Sequence, residues 1–428
     1  MIISRLQIAG LYDLYNYDIV LNSEEGNQIT ILTGPNGYGK TTILILLKSL
    51  KSKSLYYFYI IKFNEIIISF SDASKLYITQ SYYSDNDSEE SSDRKGSLEK
   101  EVKFVWHKAD GQAFSHFIYN RTNIRKAIRS FRFQISLKGK VFDNLSTREK
   151  EEIFLDNDDF NEQIASANGQ SQFLMQLEAL RIYFIPSNRI YNEAHEENDE
   201  LPIEKVRKAL TTEITKAQRD FLLYSQQVDS KFIKSLLTSC EVECSRESYN
   251  LLKKEVENQM SMLVEYKLTS KVEIPEFNEG NKHILFAYLN GLKEKFSKYS
   301  STLNKINLFN EMLSSKRFAN KSILFSPQHG FIIKSNNGEL LNEYQLSSGE
   351  QNEIIMLYRI VYEVPDHGVL LIDEPENSLH IAWQKMIVDD MKKIASVKHL
   401  QIIIATHSPS IVSKGRSMTM DLYYLTNK

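Results

Sequence analysis

A glycine-rich segment in the first tenth of the chain has the residue types and spacing that bind phosphate groups. Residues 34–41 read GPNGYGKT, which satisfies the pattern G-x-x-x-x-G-K-[ST], and they connect the apolar run 28–32 to the helix-favouring stretch 40–51. Glycines let backbone N–H groups curve around phosphates, the lysine reaches the β- and γ-phosphates, and the hydroxyl binds Mg²⁺. The sequence therefore predicts a site for ATP and Mg²⁺, with nucleotide contacts from Gly34, Pro35, Asn36, Gly37, Tyr38, Gly39, Lys40, Thr41 and Thr42.

An apolar strand that ends in two carboxylates supplies the other half of such a site. Residues 369–375 read VLLIDEP. In phosphoryl-transfer sites one carboxylate completes the Mg²⁺ shell, and another orients and deprotonates the attacking water. We expect Asp373 to join Thr41 as a metal ligand and Glu374 to act as the general base, with Lys40 as the catalytic cation. Two acids that merely cap a buried strand would also explain residues 369–375 taken alone.

Two further short segments place polar residues at the ends of predicted elements. Residues 346–350 read LSSGE and precede an amphipathic helix over 351–362. A helix N-cap explains the serines, although it leaves the rest of that string unexplained. Residues 406–409 read THSP and follow the apolar strand 400–405, so His407 lies at the carboxyl end of a strand, where α/β sheets bind ligands.

These segments, in this order, resemble the motif set of ABC-type ATPases, with residues 378–380 at the position of the D-loop. In that class the signature segment of one subunit completes the γ-phosphate site of the other. The resemblance implies two ATP molecules sandwiched in a head-to-tail homodimer, alone or within a larger homo-oligomer. It implies a catalytic switch residue, His407, and nucleotide contacts in trans from Ser347, Ser348, Gly349 and Glu350. It leaves the adenine contact and the Q-loop glutamine unassigned among Gln134, Gln163, Gln170 and Gln172.

The long separation between Lys40 and Ser347 excludes the nucleotide-binding subunit of a transporter and resembles the SMC, RecF and OLD branch of AAA-family ATPases. The strings IDEPENSLHIAWQ and IIIATHSP are most similar to stand-alone ATPases of bacterial anti-phage systems, PARIS first and Septu second. In those families the ATPase acts with a separately encoded effector, often a nuclease. Few residues follow His407, so we expect no TOPRIM nuclease domain after it.

The order of strands and helices predicts an α/β fold. With the resemblance, we expect an ABC-type P-loop ATPase with an N-terminal antiparallel β subdomain and an inserted helical, coiled-coil-like subdomain. The expected boundaries are an N-terminal ATPase lobe at 1–190, the helical insertion at 191–321, and a C-terminal lobe at 322–428. Apolar residues that step by threes and fours over 203–228 and 285–306 predict long helices, and alternation over 56–80 predicts short strands.

Charge and composition narrow the class of partner. Lys+Arg total 52 and Asp+Glu total 55, so a nucleic-acid surface would have to be a local patch. The candidate patch is Arg121, Arg125, Lys126, Arg129 and Arg132, which an exposed or acid-paired helix face explains more simply. Cys240 and Cys244 are interpreted as reduced helix thiols in a cytoplasmic protein. We expect no membrane contact, because no apolar run approaches the roughly 20 residues of a span.

Three functions fit these patterns. The first is an ATPase sensor or scaffold in anti-phage defence that hydrolyses ATP slowly, controls a nuclease-like effector and responds to a phage-derived trigger. The second is a RecF- or SMC-like ATPase that binds DNA through the basic stretch 121–140. The third is a scaffold locked by its nucleotide, in which hydrolysis is too slow to matter.

Overall fold

The computed structural model describes residues 1–22, 28–51, 55–84, 98–120, 171–187, 201–238, 245–315, 318, 321–326 and 328–426. The chain divides into two compact units: the first unit is Met1–Ser187 with Val364–Lys428, and the second unit is Asn188–Glu363. The basic stretch 121–140, the two cysteines, and the candidate glutamines Gln134, Gln163 and Gln170 lie outside the described residues.

The first part of the first unit contains β1 (Ile3–Leu11), β2 (Tyr15–Val20), β3 (Ile29–Thr33), α1 (Lys40–Lys51), α2 (Tyr56–Ile60), β4 (Glu65–Phe70), β5 (Lys75–Ser84), β6 (Leu98–His107), β7 (Ala113–Asn120), α3 (Ser171–Glu178) and β8 (Ile182–Ile185). The second unit contains α4 (Pro202–Thr238), α5 (Arg246–Glu265), α6 (Lys282–Ser297), α7 (Ser300–Ser315), β9 (Lys321–Ser326), β10 (Gly330–Ser335), β11 (Leu340–Leu341) and α8 (Ser348–Tyr358). The first unit resumes with β12 (Val369–Asp373), α9 (Ile381–Lys398), β13 (Gln401–Ala405), α10 (Pro409–Lys414), β14 (Thr419–Asp421) and α11 (Leu422–Thr426).

An antiparallel sheet in the first unit has the strand order β2-β1-β4-β5-β6-β7. Its strands alternate buried and half-buried residues, as in β4, where Ile66, Ile68 and Phe70 are buried. The ring of Phe70 stacks on Trp106 of β6 at 5.0 Å between centroids. Alternation of this kind is typical of a sheet with one face on the core.

A parallel sheet in the same unit has the order β14-β3-β13-β12-β8. Every residue of β12 and β13 is buried, and all but Asp373 and Gln401 are apolar, as is typical of strands covered on both faces. The register pairs Asp373 with Ala405, and Ala405 with Leu32, so β12, β13 and β3 end at the same edge. This edge therefore collects the residues that follow all three strands. The predicted α/β fold class is confirmed.

The second unit combines helices with a small antiparallel sheet of order β11-β10-β9. Gly330 has a φ of +70°, and a Cβ there would lie 2.5 Å from the carbonyl oxygen of Arg207 in α4. The close approach of helix and strand therefore requires glycine. The lobe boundaries at 190/191 and 321/322 stay a prediction, and residues 322–363 group with the helices in the second unit.

The periodicity was misleading at two places. Residues 56–60 form α2, not a strand: Phe58 alone of the five is buried, its tyrosines pack at the margin of the core, and the Ile61 N–H donates to the Tyr57 carbonyl oxygen four residues back. The predicted continuous helix over 285–306 is two helices. The N–H groups of Lys298 and Tyr299 donate to carbonyls three residues back, which tightens the chain and ends α6 before α7 begins. Within the described residues, no helix has both the length and the apolar composition that a bilayer span requires.

Candidate functional site

The glycine-rich segment forms a loop between β3 and α1 in the first unit. Gly34, Gly37 and Gly39 have φ values of +145°, +87° and +76°, which side chains with a Cβ rarely adopt. A Cβ at Gly39 would also lie 3.2 Å from Leu11. Glycine at these positions therefore lets the loop curl tightly and expose backbone N–H groups at the start of α1, as phosphate binding requires.

Lys40 is the first residue of α1 and is only 5% exposed. Its Nζ donates hydrogen bonds to the carbonyl oxygens of Gly34 at 2.8 Å and Pro35 at 3.0 Å. Burial lowers the pKa of the Lys40 ammonium, and the carboxylates of Glu374 and Asp373 oppose that shift. A cation in such a partly desolvated site attracts phosphate oxygens more strongly than one in water.

Thr41 and Asp373 meet although they are far apart in the sequence. The Thr41 hydroxyl lies 3.1 and 3.2 Å from the two carboxylate oxygens of Asp373, which is 4% exposed at the end of β12. A hydroxyl and a carboxylate are hard oxygen donors, which is the ligand type that Mg²⁺ prefers. The residues present therefore fit a Mg²⁺ ion.

Glu374 follows β12 with a φ of +44°. A left-handed conformation costs a residue with a Cβ about 1–2 kcal/mol, and surrounding structure has to hold it. Here the Glu374 N–H donates to the carbonyl oxygen of Ala405 in β13 at 2.8 Å. Glu374 lines a pocket of about 360 Å³. The lining residues are Tyr12, Asn36, Gly37, Gly39, Lys40, Thr41, Thr42, Glu374 and His407.

His407 lies in the loop after β13, and its exposed side chain lines the same pocket as Glu374. One carboxylate oxygen of Glu376 holds this loop. Glu376 Oε1 accepts hydrogen bonds from Thr406 Oγ1 at 2.7 Å, His407 N at 2.7 Å and Ser408 N at 3.0 Å. Sequence reasoning missed Glu376, because an acid in a turn has no periodic signal. Its place three residues after Asp373 is the one signal that could have indicated it.

Tyr12 is a second residue that sequence reasoning missed. It is 40% exposed, has a φ of +55°, and its hydroxyl lies 3.2 Å from Thr42 Oγ1. Tyr38 of the glycine-rich loop is not among the residues that line the pocket, and two tyrosines of β2 contact it. Tyr17 donates its hydroxyl proton to the Tyr38 carbonyl oxygen at 2.7 Å, and the ring of Tyr15 lies 5.2 Å from that of Tyr38.

The signature segment lies in the second unit, where it begins α8. Ser347 is the N-cap: its Oγ accepts from Glu350 N at 3.3 Å and lies 3.0 Å from Glu350 Oε2. Lys321 donates to the same Glu350 oxygen at 2.9 Å. Burial acts to raise the pKa of Glu350, but the bonds from Lys321 and Ser347 prevail and lower it. The N-cap geometry is therefore present, and Ser348 and Gly349 form the first turn of α8.

The D-loop segment is also built from caps. Ser378 has a φ of +62°, and His380 is the N-cap of α9, with its Nδ1 accepting from Ala382 N at 3.2 Å.

The structure places the glycine-rich loop, the acid pair and His407 together in the first unit, and it places Ser347–Glu350 in the second. Gln172, the one described candidate for the Q-loop, lies in α3 and is not among the residues that line the pocket.

Comparisons with known proteins agree on the general class. The family model described as "AAA ATPase domain" matches residues 1–412. The chain is similar to "Retron Ec83 probable ATPase" of Escherichia coli, 28% identical over 151 residues, which are 31% of this chain and 27% of that protein. It is also similar to Septu protein PtuA of Bacillus thuringiensis, 33% identical over 140 residues, 27% of this chain and 34% of that protein. The matched stretches cover well under two thirds of either relative.

Among solved structures, two SMC heads align over nearly the whole chain. The Smc head domain of Pyrococcus furiosus with an extended coiled coil, bound to the C-terminal domain of ScpA, aligns at 14% identity and a TM-score of 0.35, covering 96% of this chain and 91% of that one. The SMC head domain from Thermotoga maritima aligns at 10% identity and a TM-score of 0.32, covering 97% of this chain and 92% of that one.

Proposed function

We propose, from the premise that this chain belongs to the AAA ATPase domain family, that its pocket binds ATP with Mg²⁺ and hydrolyses ATP to ADP and phosphate. The observation that carries the proposal is the meeting of three strand ends at one edge of the parallel sheet. The loop after β3, Glu374 after β12 and His407 after β13 line a single pocket, and Asp373 at the end of β12 contacts Thr41 of that lining. Together they supply a phosphate cradle, a metal ligand pair and a base.

Each side chain has a role that follows from its place. Lys40 and the loop N–H groups hold the β- and γ-phosphates. Thr41 and Asp373 would hold Mg²⁺, which when bound neutralises negative charge on the phosphates. Glu374 orients the attacking water and takes its proton, so that water oxygen bonds to the γ-phosphorus as the bond to ADP breaks. His407, on the same pocket, contacts the γ-phosphate.

Tyr12 is the residue that we assign to the base of the nucleotide. Apart from His407, it is the one aromatic side chain that the described residues contribute to the pocket lining, and its hydroxyl contact with Thr42 places it at the start of α1. Stacking of a base on an aromatic ring is worth about 1–3 kcal/mol. Tyr12→Ala is expected to weaken ATP binding more than inorganic triphosphate binding.

Nucleotide binding is tested by calorimetry with Lys40→Ala. Because charge-assisted hydrogen bonds contribute about 1.5–3 kcal/mol each, we expect ATP affinity to fall on the order of 10²-fold. Lys51→Ala is the matched control, since Lys51 is an exposed lysine at the other end of the same helix. Equal ATP affinity in Lys40→Ala and the parent protein would refute the assignment of the loop.

For the biological role, we propose a sensor or scaffold subunit of an anti-phage defence system. The ATP-bound homodimer, or a larger homo-oligomer, holds a separately encoded, nuclease-like effector, and a phage-derived trigger alters that assembly. Hydrolysis is slow and coupled to assembly. Similarity to Septu protein PtuA and to "Retron Ec83 probable ATPase" supports the proposal.

A pull-down tests that role. Tagged Glu374→Gln protein is recovered from its native host in the presence of ATP, and bound protein and nuclease-resistant nucleic acid are both identified. A stoichiometric effector protein is the expected result. Recovery of DNA alone would instead favour the RecF- or SMC-like function.

A further inference from the structure

Glu376 makes an unusually concentrated set of contacts next to the pocket. It lies in the turn between β12 and α9, and one of its oxygens accepts three hydrogen bonds of 2.7–3.0 Å from Thr406, His407 and Ser408. All three donors belong to the loop that carries His407. Hydrogen bonds to an ionised carboxylate are roughly twice as strong as neutral ones. The loop after β13 is therefore anchored to the turn after β12.

The two carboxylate oxygens of Glu376 differ in their hydrogen bonds. Glu376 Oε2 is buried and has no hydrogen-bond partner among the described residues. Burying a polar oxygen without a partner costs free energy. The hydrogen bonds between Glu376 and the described residues are therefore concentrated on Oε1.

Among the residues that the structure describes, Ser408 has further hydrogen bonds that do not involve His407. The Ser408 hydroxyl donates to Gln384 Oε1 in α9 at 2.7 Å, and Ser408 is also the N-cap of α10. The N–H of His407 has its hydrogen bond to Glu376. That bond fixes the peptide plane between residues 406 and 407, and with it the direction in which the imidazole leaves the backbone.

We propose that Glu376 is the positioning residue for His407. Glu374 and Glu376 belong to one turn, so the turn that presents the general base also sets the place of the histidine in the pocket lining. Glu376 itself is absent from the pocket lining, and it acts through His407 rather than on the nucleotide. This inference rests on the proposed ATPase function and adds a residue to its machinery.

Three substitutions separate the contact from the bulk of the side chain. Glu376→Gln keeps an oxygen acceptor, whereas Glu376→Met keeps the length and loses the acceptor. Since a misplacement of about 1 Å costs on the order of 10²-fold in rate, we expect kcat to fall about 10- to 100-fold in Glu376→Met, with KM for ATP little changed. Glu376→Gln is expected to keep most of the parent kcat. Glu376→Asp, which is too short to reach all three donors, gives the same comparison if Glu376→Met does not fold.

A double-mutant cycle distinguishes positioning from a general structural role. In the His407→Ala background, Glu376→Met is expected to cause no further loss of kcat, because residues that act as a unit are not additive. Asp389→Asn is the matched control: it removes an acid that contacts Lys414 of α10 at 3.1 Å without touching residues 406–408. We expect it to leave kcat unchanged.

Amide hydrogen exchange provides a readout without nucleotide. Peptides over 401–414 are expected to exchange faster in Glu376→Met than in the parent protein, and at the parent rate in Glu376→Gln. If the parent protein does not hydrolyse ATP, the proposed function fails, and the exchange measurement still tests the anchor. The inference is overturned if Glu376→Met exchanges and turns over ATP like the parent, or if its loss of kcat multiplies with that of His407→Ala.

Discussion

At the scale of single residues, the site depends on contacts between residues that are far apart in the sequence. Thr41 lies at the start of α1 and Asp373 at the end of β12, and their oxygens lie 3.1 Å apart. Glu374 has the left-handed φ of +44°, held by its N–H bond to Ala405. Backbone strain of this kind persists where surrounding structure over-determines it, and it is concentrated at functional sites. The backbone conformation of Glu374 is thus held by β13, the strand next to β12.

The Thr41 hydroxyl is expected to matter for the metal rather than for folding. If Thr41 is a Mg²⁺ ligand, Thr41→Val removes one oxygen donor, so half-maximal activation of ATP hydrolysis should require at least about ten times more Mg²⁺, since losing even a group that only orients a metal ligand weakens metal binding about 10- to 100-fold. A Mg²⁺ titration of the ATPase rate measures this.

Thr30→Val is the matched control for that substitution. Thr30 is a buried residue of β3 whose Oγ1 accepts from Asn22 N at 2.9 Å. Its loss should lower the free energy of unfolding by about 1 kcal/mol and leave the Mg²⁺ requirement alone. Equal Mg²⁺ requirements in Thr41→Val and the parent would remove Thr41 from the metal site.

At the scale of secondary-structure elements, the sequence predicted best where one physical signal acted alone. The apolar runs of β12 and β13 are buried at every residue and were predicted within a residue or two. The break between α6 and α7 was missed, because the apolar spacing continues through Tyr299, which stacks on Phe221 at 4.4 Å. Tyr12 and Glu376 were also missed, since each acts through a contact with a distant segment and belongs to no local pattern.

The start of α8 supports a prediction about stability and pH. Glu350 is 4% exposed, and the bond from Lys321 is part of an ion pair of 2.9 Å. Hydrogen bonds to charged groups contribute about 1.5–3 kcal/mol, so Glu350→Gln should lower the free energy of unfolding by about that amount at pH 7.

The sign of the pH dependence follows from the lowered pKa of Glu350. A carboxyl whose pKa is lower in the folded state contributes stability above its unfolded value, here 4.5, and loses it as pH falls through the folded pKa. Thermal unfolding of both proteins from pH 7 to pH 3 measures the difference, which should shrink below pH 4.5. Glu339→Gln, an exposed acid beside β11, is the control. A difference that stayed constant down to pH 3 would contradict the assignment.

At the scale of the whole molecule, the two units divide the motif set between them. The first unit carries the loop, the acid pair and His407, and the second carries Ser347–Glu350. Fold class and the order of motifs were predictable from the sequence because they depend on local patterns. The division of the chain into units was harder to predict. Residues 322–363 follow the predicted helical insertion in the sequence, but tertiary contacts group them with the helices in the second unit.

The head-to-tail homodimer proposed above predicts that two inactive variants rescue one another. In a head-to-tail dimer of Lys40→Ala with Ser347→Arg, one site has two defective halves and the other has two intact halves. Mixed at equal amounts with random exchange, the pair should recover about a quarter of the parent ATPase rate, because half of the dimers are mixed and each has one working site. Each variant alone serves as the control. A mixture as inactive as its components would show that the signature segment does not act in trans.

The role of the acid pair is tested by measuring ATP binding and ATP turnover in Glu374→Gln and in the parent protein, with Asp110→Asn as a control acid outside the pocket. If Glu374 is the general base, Glu374→Gln should bind ATP within about threefold of the parent affinity, and its turnover should fall about 10²- to 10⁴-fold, the usual contribution of a positioned base. Turnover at the parent rate in Glu374→Gln would contradict the central claim that this acid pair performs ATP hydrolysis.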